Sequence, residues 1–366
     1  MGDILLEKRK IGCYTIKNPV MGAPLNMRPY GQLDGVVTEN HIKLYQEYSE
    51  SGFGVIVSDA VNINEMCQHY RAALGCWDDK QIPGLRILAQ TLKKGDMLAI
   101  LQIAHRGQYC FDVETIEEIS ASKLVSVQKD FIDAAERAQK AGFDGVELHG
   151  CHAYLLSQIL SPITNSFEWE YGGSLEKRAQ YVIEIIRAIK EKCGKTFVVG
   201  VRMGCNEPDL TSSIQLAKYF EQAGADYLSI SVGTSFPVEC GRCDESFSWE
   251  TVIPENFHYG KRLFGAWKIK QNVSIPVASV ADIRKGETAR DILENGYVDF
   301  IAIGRARLAD PDWYKKIISG QEPSYCLTCR TCMWFSDPQK CPARHRLYAQ
   351  EKMQNENYIN SLKIKK

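Results

Sequence analysis

The chain has 366 residues, of which 45% are hydrophobic and 24% charged, and its formal net charge is −1. This composition provides a sizeable core and argues against disorder, while the near-neutral charge argues against a nucleic-acid partner bound through its phosphates. No apolar run approaches the roughly 20 residues of a membrane span, and the first residues lack the apolar region of a signal peptide, so we expect a cytoplasmic protein without a membrane partner.

Eight short apolar or β-branched segments alternate with longer amphipathic ones. Near-continuous apolar runs, such as those at 53–58 and 298–303, are typical of strands that are buried on both faces. The predicted strands are 19–23, 53–58, 98–103, 144–149, 197–203, 226–231, 274–280 and 298–303.

The segments between the predicted strands show the helical spacing of apolar residues. Those at 130–141 and 214–223 stop at Gly142 and Gly224, which is typical of a helix C-cap, and a third helix is predicted at 180–190.

A strand and a helix repeated eight times predict an α/β fold, the (β/α)8 TIM barrel, over residues 1–320. A doubly wound sheet is the competing fold, but its first strand would lead into a Gly-rich turn, and residues 21–25 do not form one. Residues 321–366 form a C-terminal segment, in which a Cys- and Pro-containing part at 322–345 precedes a polar, Lys-rich tail of helical or frayed structure.

Polar side chains gather where the predicted strands end, which is where barrels carry their active sites. The third strand ends in Gln102, whose amide can donate to and accept from the edge of a planar heterocycle. The fourth leads into His149, His152 and Tyr154, where two imidazole N–H groups can bind one oxyanion and a phenol can deliver a proton. As alternatives, these side chains are polar groups that form hydrogen bonds within a loop, or His149 and His152 bind a metal. No carboxylate or further His nearby in the sequence completes such a metal site.

Two later strands end in basic residues. Arg202, after the fifth strand, can stabilise negative charge on a reduced cofactor. Gly304 and Arg305, after the eighth, suit a phosphate bound by backbone N–H groups and a helix N-terminus. As alternatives, Arg202 forms a structural hydrogen bond, and Gly304 and Arg305 form a solvated helix start.

Most of the 13 cysteines are scattered singly, which indicates reduced thiols. The exception is the set Cys326, Cys329, Cys332 and Cys341, with the spacing C-x2-C-x2-C-x8-C. Four thiolates at this spacing suit a [4Fe–4S] cluster. A four-cysteine zinc site and ordinary thiols without a metal remain open.

Several motifs follow one another from about residue 5 to 345: KNPVM at 17–21, GFG at 52–54, QIAH at 102–105, AGFDGVELH at 141–149, SPITN at 161–165, YGGSLEKR at 171–178, GR at 304–305 and DP at 310–311. In this order they resemble the old yellow enzyme family, particularly the bacterial branch related to 2,4-dienoyl-CoA reductase and trimethylamine dehydrogenase.

The resemblance implies an FMN that lies across the barrel mouth, with NAD(P)H as a possible electron donor. His149 and His152 would grip the carbonyl of the substrate, and Tyr154 would donate the proton. The implied cofactor residues are Ala23, Pro24 and Leu25 on one face of the ring, Ala60 near it, Gln102 at the pyrimidine edge, Arg202 by N1 and C2, and Ala281, Gly304 and Arg305 towards the phosphate.

The chain departs from the family pattern at three places. The 44 positions from His105 to His149 are fewer than usual, which predicts a more open substrate pocket. Asp282 would be unfavourable beside a phosphate unless it points away, and Gln108 stands where the family often has Arg. The iron–sulfur branch has its cluster at the position of the four cysteines, but with a longer last spacer and with C-terminal nucleotide-binding domains, which we do not expect here.

The expected function is that of an FMN-dependent ene-reductase, which transfers hydride from reduced FMN to the β carbon of an α,β-unsaturated carbonyl compound and a proton to the α carbon. Two alternatives remain open: an iron–sulfur flavoprotein that oxidises an amine, and a non-catalytic electron-transfer flavoprotein. A cluster at the barrel rim would pass single electrons from a redox-partner protein, such as a ferredoxin or flavoprotein.

Overall fold

A closed barrel of eight parallel strands forms the centre of the protein, as the sequence predicts. The computed structural model describes residues 2–69, 73–233 and 252–364. A hairpin of β1 (Arg9–Ile11) and β2 (Tyr14–Ile16) precedes the barrel. The barrel strands are β3 (Val20–Gly22), β4 (Val55–Asn62), β5 (Leu98–Ala104), β6 (Gly145–Gly150), β7 (Val198–Gly204), β8 (Tyr227–Ser231), β9 (Val277–Ser279) and β10 (Phe300–Ile303), and β10 pairs with β3 to close the ring.

Helices surround this barrel and extend beyond the predicted segments. Gly142 and Gly224 both adopt left-handed backbone geometry at helix C-caps, with φ of 95° and 103°, which confirms their predicted role. The helices are α1 (Glu39–Glu50), α2 (Ile82–Lys94), α3 (Gln108–Phe111), α4 (Ala121–Ala141), α5 (Leu155–Leu160), α6 (Leu175–Cys193), α7 (Leu210–Ala223), α8 (Gly260–Lys270), α9 (Gly286–Glu294), α10 (Arg305–Ala309), α11 (Trp313–Ile318) and α12 (Pro342–Ile364). Among the described residues, none of the helices combines the length and apolar character needed to span a membrane.

The hairpin closes the end of the barrel opposite the strand C-termini. Ile11 and Ile16 are buried against Met21, Val55 and Phe300 in an apolar cluster inside the barrel. A second and larger apolar cluster fills the space between the strands and the helices. One end of the barrel is therefore closed, which leaves the C-terminal ends of the strands for ligands.

Strand β4 runs further than predicted, and its pairing with β5 contains a register shift between Val57 and Ala60. The strand continues to Asn62, and Ala60 comes to lie beside Gln102. Such irregularities re-aim side chains near active sites.

The C-terminal segment is bound to the barrel by buried polar groups. The Asp310 carboxylate is fully buried and accepts from the backbone N–H of Ser324 at 2.7 Å and from Lys316 at 2.7 Å. Arg344 donates to the carbonyl of Leu308 and pairs with Glu47. The predicted tail continues α12 to residue 364, and its last two residues lie outside the described part of the chain.

The expectation of reduced thiols is wrong for one pair. A disulfide joins Cys67 to Cys110, whose Cα atoms are 4.5 Å apart. The two cysteines follow the adjacent strands β4 and β5, so the barrel brings them together across 43 positions of sequence. Sequence spacing does not reveal such a pair, because disulfide geometry depends on the folded backbone.

Inside the barrel, the register of three strands places Glu147, Gly200 and Tyr227 side by side. The hydroxyl of Tyr227 donates to the Glu147 carboxylate at 2.9 Å, and both side chains are buried. The Tyr227 ring occupies the place where a side chain on Gly200 would begin. The absent side chain therefore allows the tyrosine to reach across β7.

We expect Gly200→Ala to destabilise the protein by about 1–3 kcal/mol, since the added methyl group overpacks the barrel interior against the Tyr227 ring. Denaturant unfolding measures this change. In a Tyr227→Ala background the same substitution should cost less, and an equal cost in both backgrounds would contradict the account.

Candidate active site at the barrel mouth

A cavity of about 760 Å³ lies at the C-terminal ends of the strands. Its volume falls in the range of roughly 300–1,000 Å³ that is typical of small-molecule and cofactor sites. Many residues singled out in the sequence line it together: Ala23, Pro24, Leu25, His152, Arg202, Gly304, Arg305, Cys326, Cys329 and Cys332.

A buried carboxylate orients the Gln102 side chain. The Gln102 amide nitrogen donates to Glu147 at 2.7 Å, while Tyr227 occupies the other carboxylate oxygen. Burial raises the pKa of Glu147, and the Arg202 charge and the two hydrogen bonds oppose that rise. With its nitrogen held in this way, the amide of Gln102 leaves its carbonyl oxygen as an acceptor for a ligand N–H.

Arg202 lies between His149 and Ser229 in the strand register. One guanidinium nitrogen donates to the Ser229 hydroxyl at 3.3 Å, whereas the buried Nε has no hydrogen-bond partner among the described residues. A buried donor without a partner is costly. A ligand atom carrying negative charge at this point would satisfy it.

The three predicted catalytic side chains are close together. The rings of His149 and Tyr154 stack with centroids 4.2 Å apart, and the rings of His149 and His152 lie 5.2 Å apart. Burial, reinforced by the Arg202 charge, lowers the pKa of His149 to about 3. Burial and the neighbouring His149 lower the pKa of His152 well below its usual value. Both imidazoles are therefore neutral near pH 7.

Ser231 fixes the His152 ring through a 2.7 Å contact to Nε2. If the serine donates, the remaining N–H of the neutral ring is Nδ1–H, which is then available to an oxyanion. His152 and Ala153 both have positive φ, of 58° and 55°. The His152 backbone N–H donates to the carbonyl of Val232 and helps to hold this strained turn.

The loops after β9 and β10 contain the predicted phosphate residues. Arg305 begins α10, and its guanidinium lies 3.3 Å from Asp282, which also lies 3.3 Å from Arg284. The acidic residue thus contacts two arginines of these loops that line the cavity. Ala281 lies between cavity residues Val280 and Asp282 but does not itself line the cavity.

The four C-terminal cysteines surround one smaller cavity beside the first. Three of them, and Arg305, line both. A tetrahedral zinc ion with bonds of about 2.3 Å holds its sulfur ligands less than about 4 Å apart. Among the described residues, some groups of three Cys, His or acidic side chains have all their ligand atoms within 4.8 Å of one another. None of these groups contains any of the four cysteines. No three of their sulfur atoms therefore lie within 4.8 Å of one another.

Sequence reasoning missed Glu147 and Cys151. Glu147 could have been found, because it stands two positions before His149 and so faces the same side of the strand. Cys151 places its sulfur 4.0 Å from His149 Nδ1. With His149 and His152 it forms a group whose possible ligand atoms lie within 4.8 Å, so the histidine pair does have a third potential metal ligand nearby.

Comparison with known proteins gives a family match over most of the chain. A model described as the NADH:flavin oxidoreductase / NADH oxidase family matches residues 5–323. The chain is 32% identical over 359 residues to an NADH oxidase of Thermoanaerobacter brockii, with 89% of this chain and 52% of that protein covered. It is 29% identical over 330 residues to an NADPH dehydrogenase of Listeria innocua, covering 85% of this chain and 93% of that one. The chain thus spans about half the length of the first relative.

Solved structures share the fold. A 2-naphthoyl-CoA reductase in complex with 2-naphthoyl-CoA gives a TM-score of 0.80 at 23% identity, over 92% of this chain and 56% of that chain. An old yellow enzyme homologue from Zymomonas mobilis gives 0.73 at 21% identity, over 93% and 98% of the two chains.

We expect Asp282→Asn to tighten FMN binding severalfold, since it removes the carboxylate that competes with the phosphate for Arg284 and Arg305. Titration calorimetry of the apoprotein measures this change. Asp312→Asn is the matched control, because this carboxylate pairs with Lys315 outside the cavity. Weaker FMN binding in Asp282→Asn would show instead that the acid positions the two arginines.

Proposed function

The chain belongs to the NADH:flavin oxidoreductase / NADH oxidase family of FMN-dependent oxidoreductases, and we propose that within this family it is an ene-reductase. Membership confirms the resemblance to the old yellow enzyme family. The proposed substrate is a small molecule with a C=C bond activated by a carbonyl group, and the proposed electron donor is NADH or NADPH. The observation that carries the proposal is the pair of neutral imidazoles beside Tyr154, of which His152 lines the main cavity.

Residues that line the cavity or lie near it at this end of the barrel fit FMN chemically. Gln102 offers an acceptor to the pyrimidine edge, and the unpartnered Nε of Arg202 offers a donor to the N1–C2 region. Gly304 and Arg305 offer a backbone and a cation to the phosphate. The remaining proposed contacts are Ala23, Pro24, Leu25, Ala60 and Ala281. Reduced FMN would supply the hydride to the β carbon.

His149 and His152 bind and polarise the substrate carbonyl in this proposal. Negative charge grows on that oxygen during reduction. The N–H groups of the neutral imidazoles stabilise this charge by donating hydrogen bonds, and they keep their protons. Removing one such donor typically costs about 3 kcal/mol of barrier. Tyr154 donates the proton to the α carbon, which is worth roughly 10²–10⁴-fold in rate.

Amine oxidation has less support than ene-reduction. A substrate cation is favoured by aromatic faces around it. Among the described residues that line the main cavity, Phe335 is the only Phe, Tyr or Trp, whereas arginines are numerous. A mouth rich in positive charge disfavours an ammonium substrate.

In this proposal, the four cysteines hold a [4Fe–4S] cluster. They belong to a C-terminal segment that begins at residue 321, after a barrel that ends at residue 320. The four cysteines surround one small cavity, which supports a shared ligand, and the wall that this cavity shares with the main one supports electron transfer between cluster and flavin. The cluster would pass single electrons to the flavin from a redox-partner protein, as the alternative to direct reduction by NADH or NADPH.

We expect Tyr154→Phe to slow re-oxidation of the reduced flavoenzyme by an enone about 10²-fold or more, while flavin reduction by the electron donor stays near normal. Stopped-flow spectroscopy separates the two half-reactions. His149→Ala should slow the same half-reaction and also weaken the binding of phenols that mimic the enolate. Wild-type oxidative rates in both variants would refute the assignment.

We expect anaerobically purified protein to contain about four iron and four acid-labile sulfide ions per chain. Cys329→Ser should lower both contents, whereas Cys13→Ser, which alters an exposed cysteine far from the segment in sequence, should leave them unchanged. Stoichiometric zinc without sulfide would replace the cluster with a structural metal site.

A further inference from the structure

Positive charge around the main cavity exceeds what one flavin phosphate needs. Among the described residues, the cavity is lined by Arg202, Arg262, Arg284, Arg305 and Arg330, and by one carboxylate, that of Asp282. That carboxylate contacts Arg284 and Arg305 in the loops after β9 and β10. Arg262 remains as a cation that the proposed function does not use.

Arg262 lies in the first turn of α8, the helix that follows β8. Its side chain is half-buried and lines the cavity together with His152 and Ser231. Among the described residues it makes no hydrogen bond, ion pair or ring contact. An unpaired guanidinium in a partly enclosed cavity is a ready site for an anion, because desolvation strengthens charge-assisted hydrogen bonds.

The position of Arg262 separates it from the phosphate residues. Its charge helps to lower the pKa of His152, which follows β6, and opposes the rise that burial causes in the pKa of Cys205, which follows β7. Arg305, by contrast, pairs with Asp282 and lies on the wall shared with the cysteines. The cavity thus has one cationic region beside the phosphate loops and another beside the histidine that faces the substrate.

We propose that Arg262 binds a carboxylate on the substrate, so that the natural substrate is an activated alkene that also carries an anionic group. The inference rests on the proposed function and adds a substrate class to it. A single guanidinium matches a carboxylate, since its planar fork pairs with the two oxygens of a monoanion. The carboxylate stays outside the reacting C=C bond and orients it.

Phenol binding to the FMN-loaded protein tests the proposal without turnover. The probes are 3- and 4-hydroxybenzoate, each compared with the corresponding neutral hydroxybenzamide, and the readout is the change in the flavin absorption spectrum on titration. The wild-type protein should bind at least one benzoate about tenfold more tightly than its amide, as expected for a charge-assisted hydrogen bond. Arg262→Gln should lose that preference and keep its affinity for the amide.

Lys268→Gln is the matched control. It removes the same charge from the same helix, where Lys268 lies over the Trp267 ring and outside the cavity, so it should keep the preference for the carboxylate. The Arg262 assignment is overturned if Arg262→Gln retains the preference, if the wild type has none, or if Arg262→Gln weakens FMN binding, which would assign the cation to the cofactor. Failure of the wild type to bind any of the phenols overturns the proposed function as well.

Discussion

The arrangement of the barrel mouth depends on one buried carboxylate. Glu147 has no exposed surface, and a buried charge without partners would be strongly destabilising. Gln102 and Tyr227 each donate a hydrogen bond to it, and the Arg202 guanidinium adds an opposite charge nearby. These contacts satisfy the carboxylate and at the same time fix the residues around it. Because the Gln102 nitrogen is occupied by Glu147, the carbonyl end of its amide is left for a ligand.

With increasing distance from Glu147 towards the cavity, the site changes from buried polar contacts to exposed positive charge. His149 and His152 lie at the edge of the buried region, where desolvation keeps them neutral and so suited to donate to an oxyanion. Farther out, arginines from the loops after β9 and β10 face the cavity, and the cysteine segment forms its rim. In the proposed function, the barrel thereby separates three tasks that need different environments: holding a heterocycle, stabilising an enolate, and attracting anions.

The sequence predicted the barrel well, because strands buried on both faces leave long apolar runs and helices end at glycines such as Gly142. The predicted positions of Gln102, His149, Arg202 and Gly304 near the C-terminal ends of strands agree with the fold, and Arg202 and Gly304 line the main cavity there. The sequence did not reveal features that depend on pairing across the fold. The Cys67–Cys110 disulfide and the contact of Asp282 with Arg305 arise from loops that are distant in sequence, and the partners of Glu147 follow from a strand register that no local pattern encodes.

The most direct test of this account compares the binding of FMN, riboflavin and FAD to the apoprotein. Ring contacts from Gln102 and Arg202 together with a phosphate site at Gly304 and Arg305 predict one FMN per chain, much weaker binding of riboflavin, which lacks the phosphate, and no FAD in the protein as purified. Equal affinity for FMN and riboflavin would contradict the phosphate site, and stoichiometric FAD, or no flavin bound at all, would contradict the assignment of the cavity.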